Sequence, residues 1–328
     1  MPAPTILTIV LNYKTAQMTI DAAAAARAAM DGLPGEIVIV DNDSRDGSFD
    51  QIRSHVESAG WDRTRVIASP VNGGYGAGNN VGIRAGLSDG SRPDFIYIVN
   101  SDAFAQPDAI RVLYDHMQAN PNTAFAGSYI HGEAGDRHTS TFRFPSVFSE
   151  IEGAIQFGPV TRMLRNYRVP IEDIDGTGPV DWLAGASLMM RQDVLDEIGL
   201  FDEKFFLYFE ETDLCRRASM AGHQVVFVRE SVVMHLGSVS TGMKTWQRTP
   251  DYWFDSRFYY FSKNHGKVYA ACATLLHLAC GGLHLARCKL TGKPSGMSPA
   301  FLRTLARHDL NALLSSTPRK PETDRVTL

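Results

Sequence analysis

Apolar runs of strand length recur at residues 5–11, 36–40, 65–68 and 95–99, each separated from the next by a segment of helical character. That alternation predicts a parallel sheet with crossover helices on its faces. Residues 14–30 are rich in alanine, and residues 107–119 open with proline at a first helical turn, so both suit such helices. The runs end in polar residues: Asp41 after the second, and Asn100 to Asp102 after the fourth. In an open α/β sheet the ligand crevice lies beyond the carboxyl ends of the strands, which is where these side chains fall.

The chain has 328 residues, 44% of them hydrophobic and 21% charged, enough for one large core with or without a small appendage. A formal net charge of −4 gives no footprint for nucleic acid, which needs lysine and arginine clustered on one face. The four cysteines, Cys215, Cys272, Cys280 and Cys288, show neither a CxxC spacing nor the density of a secreted disulfide scaffold, so a reducing compartment is expected. The opening MPAPTILTIVLNYK lacks the basic leader and cleavage site of a signal peptide and reads as a first strand.

Five constellations carry chemistry. Residues 37–48, IVIVDNDSRDGS, deliver Asp41 to a polar turn; a carboxylate there can accept hydrogen bonds from a base or ribose, or merely belong to a helix cap. Residues 72–80, NGGYGAGNN, hold glycines that let backbone approach a ligand, with Asn79 and Asn80 at the head of a helix whose N-terminus favours anions. The GxGxxG spacing fails in that loop, which argues against a nicotinamide or flavin. Asn100-Ser101-Asp102 follows the run FIYIV; a carboxylate at a strand end can ligate a divalent metal that binds a diphosphate, or simply close the strand. In residues 205–217, FFLYFEETDLCRR, Glu210, Glu211 and Asp213 follow aromatic bulk that can raise a carboxyl pKa and suit it to accept a proton from a hydroxyl. Acids at a helix N-terminus are equally favoured by the helix dipole. His235, in VMHLGSVS after the last strand run at 224–228, can complete a metal site with Asp102 or make an ordinary hydrogen bond.

Between residues 129 and 179 the periodicity weakens, which predicts long connections around a site, with acceptor recognition among them. The catalytic domain is expected over 1–240, with a donor half at about 1–128 and an acceptor and catalytic half at 129–240. Residues 241–290 form an aromatic and apolar helical extension, and 291–328 a polar tail expected to lie on the surface, partly disordered. Residues 268–286 carry no Asp, Glu, Lys or Arg and are bracketed by Lys267, Arg287 and Lys289. The length just suffices to span a bilayer, yet His277, His284 and the Gly281–Gly282 pair leave a span, an interfacial helix and a packed helix all open.

Taken in order, IVDNDSRDGS, NGGYGAGNN, YIVNSD, WLAGASLMMRQDVLDEIGLFDEKFFLYFEETDLCRR and MHLGSVS resemble family 2 glycosyltransferases, especially their rhamnosyltransferase-like branch, over residues 5–240. The resemblance implies a GT-A fold, an inverting mechanism, a nucleoside-diphosphate sugar donor and Mg²⁺ or Mn²⁺. It implies a donor site of Asn12, Asp41, Asn72, Gly73, Asn79 and Ser101, and a metal held by Asp102 and His235, with asparagine replacing the first acid of the family's DxD. It makes Glu211 the expected general base, with Glu210 and Asp213 as alternatives, and sets Asp181 and Trp182 on the acceptor side. The expected reaction moves a sugar, rhamnose from dTDP-rhamnose by the branch resemblance, onto a lipid-linked or cell-surface glycan at the cytoplasmic face of a membrane, touched through residues 268–286. A nucleotidyltransferase and a non-catalytic nucleotide-sugar-binding protein are the competing readings.

Overall fold

A computed structural model of the chain describes residues 3–172, 174–237, 248–298 and 300–315. Strands β1 (Ile6–Asn12), β2 (Gly35–Asp41), β3 (Thr64–Ala68) and β4 (Phe95–Asn100) pair in parallel in the order β3-β2-β1-β4. Helices α1 (Ala16–Ala29), α2 (Ser48–Ser58) and α3 (Tyr75–Ala85) make the crossovers. After them come β5 (Ala103–Ala105), α4 (Ala109–Ala119), β6 (Thr123–His131), β7 (Arg137–His138), β8 (Thr141–Phe142), α5 (Val147–Ile155), α6 (Gly158–Met163) and β9 (Gly178–Val180). The second half continues with β10 (Trp182–Leu183), β11 (Ser187–Arg191), α7 (Gln192–Ile198), α8 (Glu210–Met220), β12 (Gln224–His235), α9 (Asp251–His265), α10 (Lys267–Thr291) and α11 (Phe301–Leu314).

Successive strand residues face opposite layers, and both layers are covered. Ile6, Val10, Ile37 and Ile39 join one core with Ala22 and Ala26 of α1 and Leu113 of α4. Leu7, Ile9, Val38 and Val40 join the other with Ile83 of α3 and Leu214 of α8. Burial on both faces is why the runs are apolar at successive positions. Each such side chain contributes about 1.5–3 kcal/mol of transfer free energy.

The sheet is mostly parallel, but β11 lies antiparallel between β4 and β6, and β5 runs antiparallel to β12 at an edge. Strand β12 extends to His235, beyond the expected end at Val228, through a register shift between Val228 and Val232. A shift of that kind re-aims the later residues of the strand, and His235 ends up paired with Ala103 of β5.

Two expectations change. The region 129–179 is not only connections: it contains α5, whose Ser146 Oγ accepts from the Ser149 N–H at 3.3 Å while Ser149 Oγ accepts from the Ser146 N–H at 2.8 Å. Serine where a capping box usually has Glu or Gln concealed that helix in the sequence. The polar tail likewise contains α11, held by buried Leu305 and by Asp309, which pairs with Arg257 of α9 at 3.1 Å. Helix α10 is long and apolar enough to cross a membrane by length and composition, and 28% of its apolar window is buried. Its packed side holds Ala270, Ala273, Thr274, Gly281 and His284, while Val268, Leu275, Leu283 and Leu290 face outward.

Candidate active site

A cleft of about 820 Å³ opens beyond the carboxyl ends of β1, β2 and β4. It runs from Tyr13, Asn42 and Asn72, past Asn100, Ser101, Asp102 and His235, to Glu210 and Glu211, and on to α9, α10 and α11.

Asn12 and Asp41 stand behind the cleft wall, beside Tyr13 and Asn42. Asn12 Nδ2 and Ser44 Oγ each donate to Asp41 Oδ1 at 2.6 Å, and the Ser44 N–H donates to Oδ2 at 3.1 Å. Thr19 Oγ1 donates to Asn12 Oδ1 at 2.7 Å. This buried lattice fixes the turns after β1 and β2, whose next residues, Tyr13 and Asn42, line the cleft. Asn42 Nδ2 donates to Asn72 Oδ1 at 3.0 Å, and Asn42 Oδ1 is buried without a partner among the described residues.

Among the glycines of residues 72–80, Gly74 lines the cleft, and several also permit close packing. Gly74 has φ +89°, and a Cβ there would lie 1.8 Å from the Phe206 carbonyl oxygen. Cβ atoms at Gly78 and Gly82 would meet Leu11 and Ile9 of β1 at 2.6 and 2.8 Å, and one at Gly73 would meet Ala77 at 2.6 Å. These glycines serve close packing of α3 on the sheet and on the 201–209 segment. Asn79 sits in the second turn of α3 rather than at its head, and its Nδ2 donates to the Tyr75 carbonyl at 3.0 Å. Neither Gly73 nor Asn79 lines the cleft.

Asp102 Oδ1 lies 3.0 Å from His235 Nε2, brought there by the β12–β5 pairing and by the Leu236 N–H donating to the Asp102 carbonyl at 3.0 Å. Thr15 Oγ1 donates to Ser101 Oγ at 3.2 Å. Asn100 Oδ1 is buried without a partner among the described residues, and Asn100, Asp102 and His235 share the cleft wall. The Asp102 carboxylate and the Asn100 amide oxygen are hard donors of the kind that suit Mn²⁺ or Mg²⁺, with the His235 imidazole beside them, although no group of three or more His, Cys, Asp or Glu gathers among the described residues.

Tyr208 and Phe209 both take left-handed conformations, φ +71° and +69°, before α8 begins at Glu210. Non-glycine residues there cost on the order of 1–3 kcal/mol each. The turn sets Glu210 and Glu211 in the first helical turn at the cleft wall. Glu210 is 1% exposed with Oε2 unpartnered among the described residues; burial, and then the neighbouring Glu211, push its carboxyl far above the usual range. Glu211 is half-buried, and desolvation raises it to about 7 against the pull of backbone N–H donors, Gly185 among them at 3.2 Å. A carboxylate poised there can take a proton from a hydroxyl at neutral pH. Asp213, in contrast, is spent: its fully buried carboxylate pairs with Arg217 at 2.9 Å and Lys263 at 2.8 Å, away from the cleft.

Trp182 lines the cleft, stacked on Phe142 with centroids 4.0 Å apart. Asp181 does not; its Oδ2 accepts from the Phe144 N–H at 2.8 Å and ties β8 to β10. Sequence reasoning missed Tyr13, Asn42, Tyr75 and Gly185, as well as the contribution of α5 and α9–α11. Asn42 was the one with a signal, since it directly follows Asp41 at a strand end.

Residues 5–199 match the family described as glycosyl transferase family 2. The chain belongs to that family. This family 2 glycosyltransferase is 29% identical over 220 residues to an N-acetylglucosaminyl-diphospho-decaprenol L-rhamnosyltransferase of Mycobacterium tuberculosis, covering 64% of this chain and 69% of the relative. It is 26% identical over 165 residues to the Escherichia coli rhamnosyltransferase WbbL, covering 49% of this chain and 60% of that one. In fold it resembles the mannosyltransferase PcManGT from Pyrobaculum calidifontis in complex with GDP-Man and Mn²⁺, with TM-score 0.56 and 14% identity over 94% of this chain and 81% of that one. The glycosyltransferase therefore has the GT-A fold that the resemblance implied.

Proposed function

We propose that this glycosyltransferase moves rhamnose from dTDP-rhamnose to a hydroxyl of a lipid-linked or cell-surface glycan, with inversion at the anomeric carbon. The observation that carries the reading is Glu211, a carboxyl raised to about 7 on the wall of the cleft that also holds Asp102 and His235. The rhamnosyltransferases among its relatives support the sugar, and the outward leucines of α10 support work at the cytoplasmic face of a membrane.

Asn42 and Asn72, braced by Asp41 and Asn12, orient the nucleotide, with Ser101 beside it. Glu211 accepts the proton of the acceptor hydroxyl as its oxygen attacks the anomeric carbon and the nucleoside diphosphate departs from the opposite face. Glu210 stays protonated next to it, which keeps a second negative charge away from the base. Asp102, His235 and Asn100 would hold Mg²⁺ or Mn²⁺, which supplies charge neutralisation for the diphosphate. Trp182 and Phe142 offer an apolar platform to the acceptor.

A panel of nucleotide sugars tests this, scored by thermal stabilisation and by nucleoside diphosphate release with Mn²⁺ or with EDTA. dTDP-rhamnose should give metal-dependent stabilisation and slow release, both weakened in Asp102→Asn. Stabilisation by a different donor alone would replace the sugar. Consumption of a nucleoside triphosphate with pyrophosphate release would replace the reaction class.

A further inference from the structure

The cleft continues past Glu211 along an aromatic wall. Phe209, the residue before the acid pair, has its ring centroid 6.2 Å from that of Trp253; Trp253 lies 5.9 Å from Phe301, and Phe301 lies 5.6 Å from His277. All four line the cleft, and they come from the head of α8 and from α9, α11 and α10. Two of the polar side chains beside them, those of Glu150 and Ser149, are engaged within the protein. Glu150 Oε2 accepts from Arg257 at 2.8 Å and lies 2.6 Å from His277 Nδ1, and Ser149 Oγ donates to the Ser146 carbonyl at 2.8 Å. A sugar subsite needs hydroxyl-directed donors and acceptors, whereas four rings in succession, with the nearby Glu150 and Ser149 already paired, favour an apolar occupant.

Helix α10 joins this wall to the molecular surface. His277 faces the cleft, while Leu275 and Leu283 on the same helix are 65% and 63% exposed. Lys267 and Lys289 near its ends are exposed cations that suit an anionic lipid surface.

We propose that the aromatic end of the cleft binds the apolar chain of a lipid-linked acceptor, next to the head group whose hydroxyl meets Glu211. This rests on the transferase reading above and deepens it: α9, α10 and α11 form the acceptor's apolar subsite as well as a surface for the bilayer. The chain reaches the base from the side of the molecule on which the outward leucines of α10 lie.

The test is calorimetric titration of the full chain with geranyl, farnesyl and geranylgeranyl diphosphates in EDTA, for wild type and for Trp253→Gln and Phe301→Gln. Wild-type binding should tighten at least about tenfold per isoprene unit, the effect of burying about two of its carbons. Both variants should lose most of that length dependence while a nucleotide sugar with Mn²⁺ still stabilises them as it does wild type, which also shows that they fold. Affinity independent of chain length in wild type overturns the proposal, as does length dependence intact in both variants. Wild-type protein that binds a nucleotide sugar but ignores chain length removes the apolar subsite alone. Protein that binds neither removes the transferase reading of the cleft with it.

Discussion

The Gly185 N–H donates to Oε1 of Glu211 at 3.2 Å, and the carbonyl of the same glycine accepts from the Tyr75 hydroxyl at 2.6 Å. One residue thus links the head of α3 to the acid pair of α8. A Cβ at position 185 would stand 2.5 Å from both Glu211 Oε1 and the Tyr75 hydroxyl. Gly185→Ala should therefore displace the base while sparing the two main cores. Steady-state kinetics should record a fall in kcat of about a hundredfold, the scale expected for displacement by roughly 1 Å, with a melting temperature close to wild type.

In the proposed reaction the pH profile is set by Glu211. It accepts a proton only when ionised, and its carboxyl is raised to about 7. Activity should climb about tenfold per pH unit below that value and level off above it. Burial, and then the neighbouring Glu211, also raise the Glu210 carboxyl well above the usual range. An acid limb near 4.5, the ordinary glutamate range, would show that the group in control is not desolvated as Glu211 is.

Asp213→Asn separates the buried ion pair from catalysis. The substitution leaves Lys263 and Arg217 without their shared carboxylate and should cost about 3 kcal/mol of stability, read as a lower denaturation midpoint. Activity of the folded fraction should stay within a few-fold of wild type, because the carboxylate lies away from the cleft.

Glu150 contributes to stability with the opposite pH sense to Glu211. Arg257 and His277 overcome its desolvation and lower it to about 2 from an ordinary 4.5. A depressed folded-state pKa gives stability that is present above 4.5 and lost as pH falls toward 2, worth about 3 kcal/mol in full. Glu150→Gln should be destabilised by roughly that amount at pH 7, and chemical denaturation should show the gap closing between pH 4.5 and 2. For Glu211 the raised value means stability that is present below 4.5 and lost as pH rises through about 7.

The sequence was most informative where one physical rule governs each residue. Ile6 to Leu11 and Ile37 to Val40 had to be strands buried on both faces, and the polar residues after them had to fall at the crevice. Asp102 and His235 could be paired only through the ordered motifs of a family, because the β12–β5 register that joins them is a long-range outcome. Local patterns were ambiguous elsewhere. Asn79 looked like a helix head because nothing in NGGYGAGNN tells that the helix begins at Tyr75. The glycines suggested a ligand's approach; Gly74 lines the cleft, while Gly78 and Gly82 make room for Leu11 and Ile9 of β1, which no local pattern reveals. Helix α5 carried a serine-only capping box, and the aromatic wall assembles residues from α8, α9, α10 and α11 that no spacing connects.

In the proposed transfer from a nucleotide sugar, Glu211 removes the acceptor proton. Wild type, Glu211→Gln and Glu210→Gln should be compared for nucleoside diphosphate release from dTDP-rhamnose in the presence of a lipid-linked glycan acceptor, with donor-induced thermal stabilisation measured on the same samples. All three should bind donor; Glu211→Gln should lose at least about a thousandfold in turnover, and Glu210→Gln, a neutral replacement for a protonated acid, should keep most of it. Turnover by Glu211→Gln at the wild-type rate, or its loss in Glu210→Gln alone, would contradict the account.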